Sequence, residues 1–97
     1  MKGYWIAMAD VNDPQGYADY TSRAPAVFAR FGARILARGG RSQALEGRAT
    51  PGRTVVIEFP SYEQALACYQ SDEYQEACQY RQGRAEAVVV IAEGVGN

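Results

Sequence analysis

The residues of this chain able to do chemistry are few and concentrated. Tyr17, Tyr20, Tyr69 and Tyr74 recur on the apolar sides of helix-like segments, where a dry core would more often hold Leu or Ile, and buried phenols need hydrogen-bond partners. Arg38 and Glu58 close two apolar runs of strand length, and sheet geometry can bring them together if those strands are neighbours. An arginine there would hold a carboxylate or enolate, and a partly desolvated glutamate would act as acid or base. Trp5, Ala7 and Ala9 share one side of the first apolar run, and two small residues beside a large one leave room for a ligand. One reading is therefore a cavity floored by small residues and walled by Tyr20, Tyr69, Trp5 and Tyr74, with Glu58 and Arg38 as its catalytic pair. In the other reading the tyrosines turn their hydroxyls to the sheet edge, and Arg38 with Glu58 is an ordinary cross-strand ion pair. Arg81, seven residues beyond Tyr74, is expected in solvent unless it reaches the cavity mouth, and Cys78 is expected as a small core residue.

What the chain lacks narrows the chemistry further. It contains no histidine, which removes the usual general base near neutral pH, the proximal haem ligand and most transition-metal sites. Cys68 and Cys78 lie too far apart for a CxxC motif, so they are expected as reduced thiols, with neither a metal nor a permanent cofactor. Ten Lys and Arg against eleven Asp and Glu leave a net charge of −1, which offers no footprint for nucleic acid or an anionic membrane. No apolar run approaches the about twenty residues that a membrane span needs, and the opening run is broken by Asp10, so a cytoplasmic address is expected.

These residues must be positioned by regular elements, and the length of 97 residues suits a single domain over 1–97. Residues 4–11 form a strand-length apolar run that Asn12, Asp13 and Pro14 close. Asp13 is an N-cap with Pro14 at the first helical position, and Tyr17, Tyr20, Ala24, Val27, Phe28 and Phe31 then mark one helix face before Gly32. Pro25 cannot donate to the carbonyl of Thr21, so this helix should break or kink between residues 21 and 24. Residues 33–38 read as a second strand, Gly39 and Gly40 as a bulge, residues 42–45 as a short extension, and residues 46–52 as turn-rich. The third strand is residues 53–59, the last residues 85–93. Between them Ser61 with Gln64 forms a capping box, and Ser71 caps a second short helix that Gly83 ends.

The order βαββαβ, with its second helix in two pieces, predicts a ferredoxin-like α+β fold: a four-stranded antiparallel sheet with helices on one face. Strands one, three and four are apolar on both sides, Tyr4, Ile6 and Met8 backing Trp5, Ala7 and Ala9 in the first. One helical layer covers one face, so a second copy of the chain is expected on the other, giving a homodimer. RNA-binding domains share this topology, but the third strand lacks the glycine and paired aromatics of their signature.

Several stretches taken together resemble a known family almost end to end: GYWIAMADV at residues 3–11, RGG at 38–40, LEG at 45–47, VVIEFPS at 55–61, YQS and EYQ around Ser71, and EG at 93–94. The resemblance is to the domain of unknown function 1330 family, within the dimeric α+β barrel superfamily. It implies a paired-sheet dimer and a small-molecule cavity between sheet and helices. It implies no reaction, because relatives in the superfamily include cofactor-free monooxygenases, haem-degrading enzymes, isomerases and regulatory ligand domains. Two functions stay open: binding of a small aromatic or carbonyl compound with cofactor-independent catalysis, or a non-enzymatic ligand-sensing or structural dimer module.

Overall fold

The computed structural model of the protein describes residues 1–47 and 52–96. Its elements run β1 (Gly3–Val11), α1 (Pro14–Thr21), α2 (Ala24–Arg30), β2 (Arg34–Arg38), β3 (Arg53–Phe59), α3 (Tyr62–Gln70), α4 (Asp72–Gln79) and β4 (Ala85–Glu93). The strands form one antiparallel sheet in the order β2-β3-β1-β4. The helix starts are those the capping residues dictate. Asp13 accepts from the Gly16 N–H at 3.1 Å, Ser61 from Gln64 at 3.0 Å and Ser71 from Tyr74 at 3.1 Å, each satisfying a first-turn donor. The first helical segment breaks where Pro25 requires it, α1 ending at Thr21 and α2 starting at Ala24.

All helices lie on one side of the sheet, and the molecule is a slab 37 × 35 × 17 Å, the thickness of one sheet and one helical layer. The buried strand residues Trp5, Ala9, Ile57 and Phe59 alternate toward that side. Trp5, Ile57 and Phe59 pack with Phe28 of α2, Ala65 and Cys68 of α3, and Tyr74 of α4. Trp5 is the hub. Its ring stands edge-on to Phe28 at 5.1 Å and Tyr74 at 4.9 Å between centroids and lies near-parallel to Phe59 at 6.0 Å. Burial pushes the Cys68 thiol up to about 12, with Glu73 adding to the shift, so it is an inert core group.

The opposite face carries Tyr4, Ile6, Met8, Val56, Val88 and Val90, and among the described residues no helix covers it. Val88 and Val90 remain 54% and 48% exposed.

Strand β2 departs from the sequence expectation in a way that matters for the site. Arg34 and Ile35 pair with Glu58 and Ile57, but Ala37 and Arg38 pair with Val56 and Val55, so Leu36 is an extra residue bulged out of register. The bulge lies here and not at Gly39 and Gly40; Gly39 keeps a 2.8 Å hydrogen bond to the Thr54 carbonyl at a φ of +69°. The expected extension at residues 42–45 is irregular and exposed, because that stretch has no covered face on which to bury an alternating side. Of the turn-rich stretch 46–52, residues 48–51 lie outside the described residues.

Candidate functional site

A cavity of about 400 Å³ opens between the sheet and the α1–α2 segment. Its floor is Trp5, Ala7 and Ala9 of β1 with Val55 and Ile57 of β3, and its roof includes Tyr17, Tyr20 and Phe28. The space exists because β1 presents two alanines where larger side chains would meet the helices. Three arginines share this apolar wall: Arg38, Arg53 and Arg81. Among the described lining residues there is no Asp or Glu, and none of the three arginines is within ion-pair distance of a carboxylate among the described residues.

Each arginine is positioned by a nameable device. The Leu36 bulge reverses the alternation of β2 and turns Arg38 to the cavity side opposite Val55. Arg53, at the start of β3, lies against Gly39; a Cβ there would run into its guanidinium. Its Nε is buried with no hydrogen-bond partner among the described residues, and its guanidinium carbon stands 5.9 Å from the centre of the Tyr17 ring. Arg81 follows α4 and folds back over Tyr20, 5.2 Å from the ring centre, donating to the Tyr74 hydroxyl at 3.2 Å and to the Cys78 sulfur at 3.1 Å. The Tyr74 and Tyr20 hydroxyls are in turn 2.8 Å apart. Burial raises both phenols above the ordinary tyrosine value, so both stay protonated at neutral pH.

Of the residues expected from sequence to form a site, Trp5, Tyr20 and Arg38 line this cavity. Tyr74 is fully buried behind it and reaches it through Tyr20. Tyr69 packs its ring 5.7 Å from that of Trp5 but does not line the cavity. Glu58 is elsewhere. It sits on the outer face of β3, where Tyr4 donates to it at 3.5 Å and Lys2 approaches to 4.0 Å, so the expected Arg38–Glu58 pair is not made. Its cross-strand neighbour is Arg34, and the bulge sends Arg38 to the other face. Arg53 was absent from the sequence reading, although alternation with Val55 and Ile57 places it on their face. Arg81, expected in solvent, is held in the wall by the two phenols. Among the described residues no three His, Cys, Asp or Glu side chains group to hold a metal ion, and no helix is long and apolar enough to cross a membrane.

This arrangement of sheet and helices is the ferredoxin-like α+β fold. The family follows from the sequence match: residues 2–95 fit the family described as Domain of unknown function (DUF1330), and the chain belongs to it. No curated protein matches the chain significantly. Among solved structures, a protein of unknown function from Rhodopseudomonas palustris is similar at 16% identity and a TM-score of 0.77, over 99% of this chain and 84% of that one. A dimeric protein of unknown function and ferredoxin-like fold from Bacteroides fragilis aligns at 13% identity and a TM-score of 0.63, over 96% of each chain. SnoaB, a cofactor-independent oxygenase from Streptomyces nogalater, aligns at 9% identity and a TM-score of 0.61, over 99% of this chain and 95% of that one.

Proposed function

We propose that the protein binds a small, flat organic anion, an aromatic or carbonyl compound bearing a carboxylate, in this cavity without a permanent cofactor. The observation that carries the reading is three arginines on an otherwise apolar and aromatic wall with no acidic residue among the described lining residues. Arg53 and Arg81 are partly buried, and a partly desolvated guanidinium without an anion is costly, while its planar fork matches a carboxylate. The cavity volume lies in the range of small-molecule sites. That a protein of the same fold, SnoaB, is a cofactor-independent oxygenase is in keeping with a site that works without a permanent cofactor. Glu58 lies on the outer face of β3 and does not line the cavity, which favours a binding role for the site over acid–base chemistry by Glu58 there.

Calorimetry with benzoate and with benzamide, equal in shape but neutral, tests the proposal. Benzoate is expected to bind and benzamide to bind at least tenfold more weakly. Arg53→Met or Arg38→Met should weaken benzoate by about 10- to 100-fold, the worth of a charge-assisted hydrogen bond of about 1.5–3 kcal/mol. Glu58→Gln, outside the cavity, should leave benzoate affinity unchanged. Equal affinity for the acid and the amide would sink the reading.

The protein is also proposed to be a homodimer joined through the outer sheet face. The exposed row of Val88 and Val90 beside Ile6, Met8 and Val56 supports this, as does the dimeric state of the Bacteroides fragilis protein. Sedimentation at micromolar concentration should give a dimer for the wild type and a monomer for Val90→Glu, which would place a charge in the apolar contact. A monomeric wild type would overturn it.

A further inference from the structure

The hydroxyls behind the cavity have a direction that can be worked out proton by proton. Arg81 has only donors, so the Tyr74 oxygen accepts from its Nη1. Tyr74 is 0% exposed, so its own proton needs a protein acceptor. Among the described residues its hydroxyl has two partners, Arg81, which cannot accept, and Tyr20. Tyr74 therefore donates to Tyr20. With its oxygen accepting from Tyr74, Tyr20 has one proton left, and no acceptor for it among the described residues. The Tyr20 side chain is 8% exposed, and the space it borders is the cavity.

Resting on the reading of this cavity as a binding site, we infer that Arg81, Tyr74 and Tyr20 form a one-way hydrogen-bond relay ending in a Tyr20 O–H aimed into the cavity, so that the bound molecule presents an oxygen acceptor to it: a phenolate, enolate or ketone oxygen. The ligand class is thereby narrowed from any flat anion to one whose electron-rich oxygen meets Tyr20. Each donor in the chain polarises the next, and Arg81 also stands over the face of the Tyr20 ring, so charge on the ligand oxygen is stabilised more than by an isolated phenol. Tyr20 contacts the ligand, while Tyr74 and Arg81 act through it as positioning residues.

The probe is 4-nitrophenol, whose phenolate and phenol absorb at different wavelengths, with benzoate as a second ligand. The wild-type protein is expected to bind the phenolate in preference to the phenol, raising phenolate absorbance at fixed pH. Tyr20→Phe should abolish that rise and weaken 4-nitrophenol at least tenfold, a larger loss than that of benzoate in the same variant, whose carboxylate the arginines also hold. Tyr74→Phe keeps the Tyr20 donor but cuts it from Arg81, so a partial loss of the rise is expected. The double variant Tyr20→Phe with Tyr74→Phe leaves no orphaned hydroxyl and serves where the single variant misfolds; it should match Tyr20→Phe. A phenolate rise that survives in both Tyr20 variants would overturn the relay while leaving the cavity reading intact. Failure of the wild type to bind either ligand would overturn the cavity reading and the relay together.

Discussion

Replacing Trp5 by alanine should lower the unfolding free energy by about 3–5 kcal/mol, the largest single loss expected in the chain. Trp5 is 1% exposed and meets Phe28, Phe59, Tyr69 and Tyr74 at centroid distances from 4.9 to 6.0 Å. It joins the sheet to three helices, α2, α3 and α4, so no single neighbour can collapse into the space it leaves. Its removal forfeits both the buried area and the edge-to-face contacts. Trp5→Phe keeps a ring on the floor and should lose clearly less. Urea unfolding at one fixed protein concentration, which holds any association constant, measures both. A loss below about 1 kcal/mol for the alanine variant would mean that the aromatic cluster is not the centre of stability.

Placing a phenylalanine at Ala7 should abolish ligand binding, by at least about 100-fold, with little harm to the fold. Ala7 lies between Trp5 and Ala9 on the cavity floor and pairs with Val55 and Val89. A ring added to a packed core typically costs about 1–3 kcal/mol, but here it would enter an existing space of about 400 Å³, so the cost should fall at or below the low end. Calorimetry with benzoate and a thermal melt on the same sample separate the two effects. Undiminished benzoate binding in Ala7→Phe would show that ligands bind somewhere other than this cavity.

The elements were legible in the sequence because their signals are local. Asp13, Ser61 and Ser71 announce helix starts, Pro25 announces the break, and residues 53–59 are β-branched enough to leave one reading. The apolar outer face was legible as well, from the double-sided composition of β1, β3 and β4. The cavity was legible in part: the alanines and Trp5 of β1 follow from alternation, and Tyr20 from helix periodicity. Its charges were legible less fully: Arg38 was expected in the wall but paired with Glu58, and Arg81 was expected in solvent, for two physical reasons. The Leu36 bulge is decided by how β2 settles on β3, a tertiary outcome that no residue in the segment 34–38 signals, and it alone determines which side of the sheet Arg38 serves. Arg81 enters the wall because two phenols from different helices meet beneath it, a contact between residues 54 positions apart.

The bulge has a further consequence for how such a site can change. A strand read two residues at a time carries two messages, one addressed to the cavity and one to the outer face, and a point substitution edits one word of one message. A change of register works like a frameshift. Deleting Leu36 would remove the bulge and leave Arg38 opposite Val55 on the cavity side, whereas drawing Leu36 into regular pairing would hand Arg38 to the outer face and offer Ala37 to the cavity, removing a positive charge from the pocket without altering any arginine. Within the sheet of this protein, strand register is therefore as much a determinant of ligand charge as residue identity.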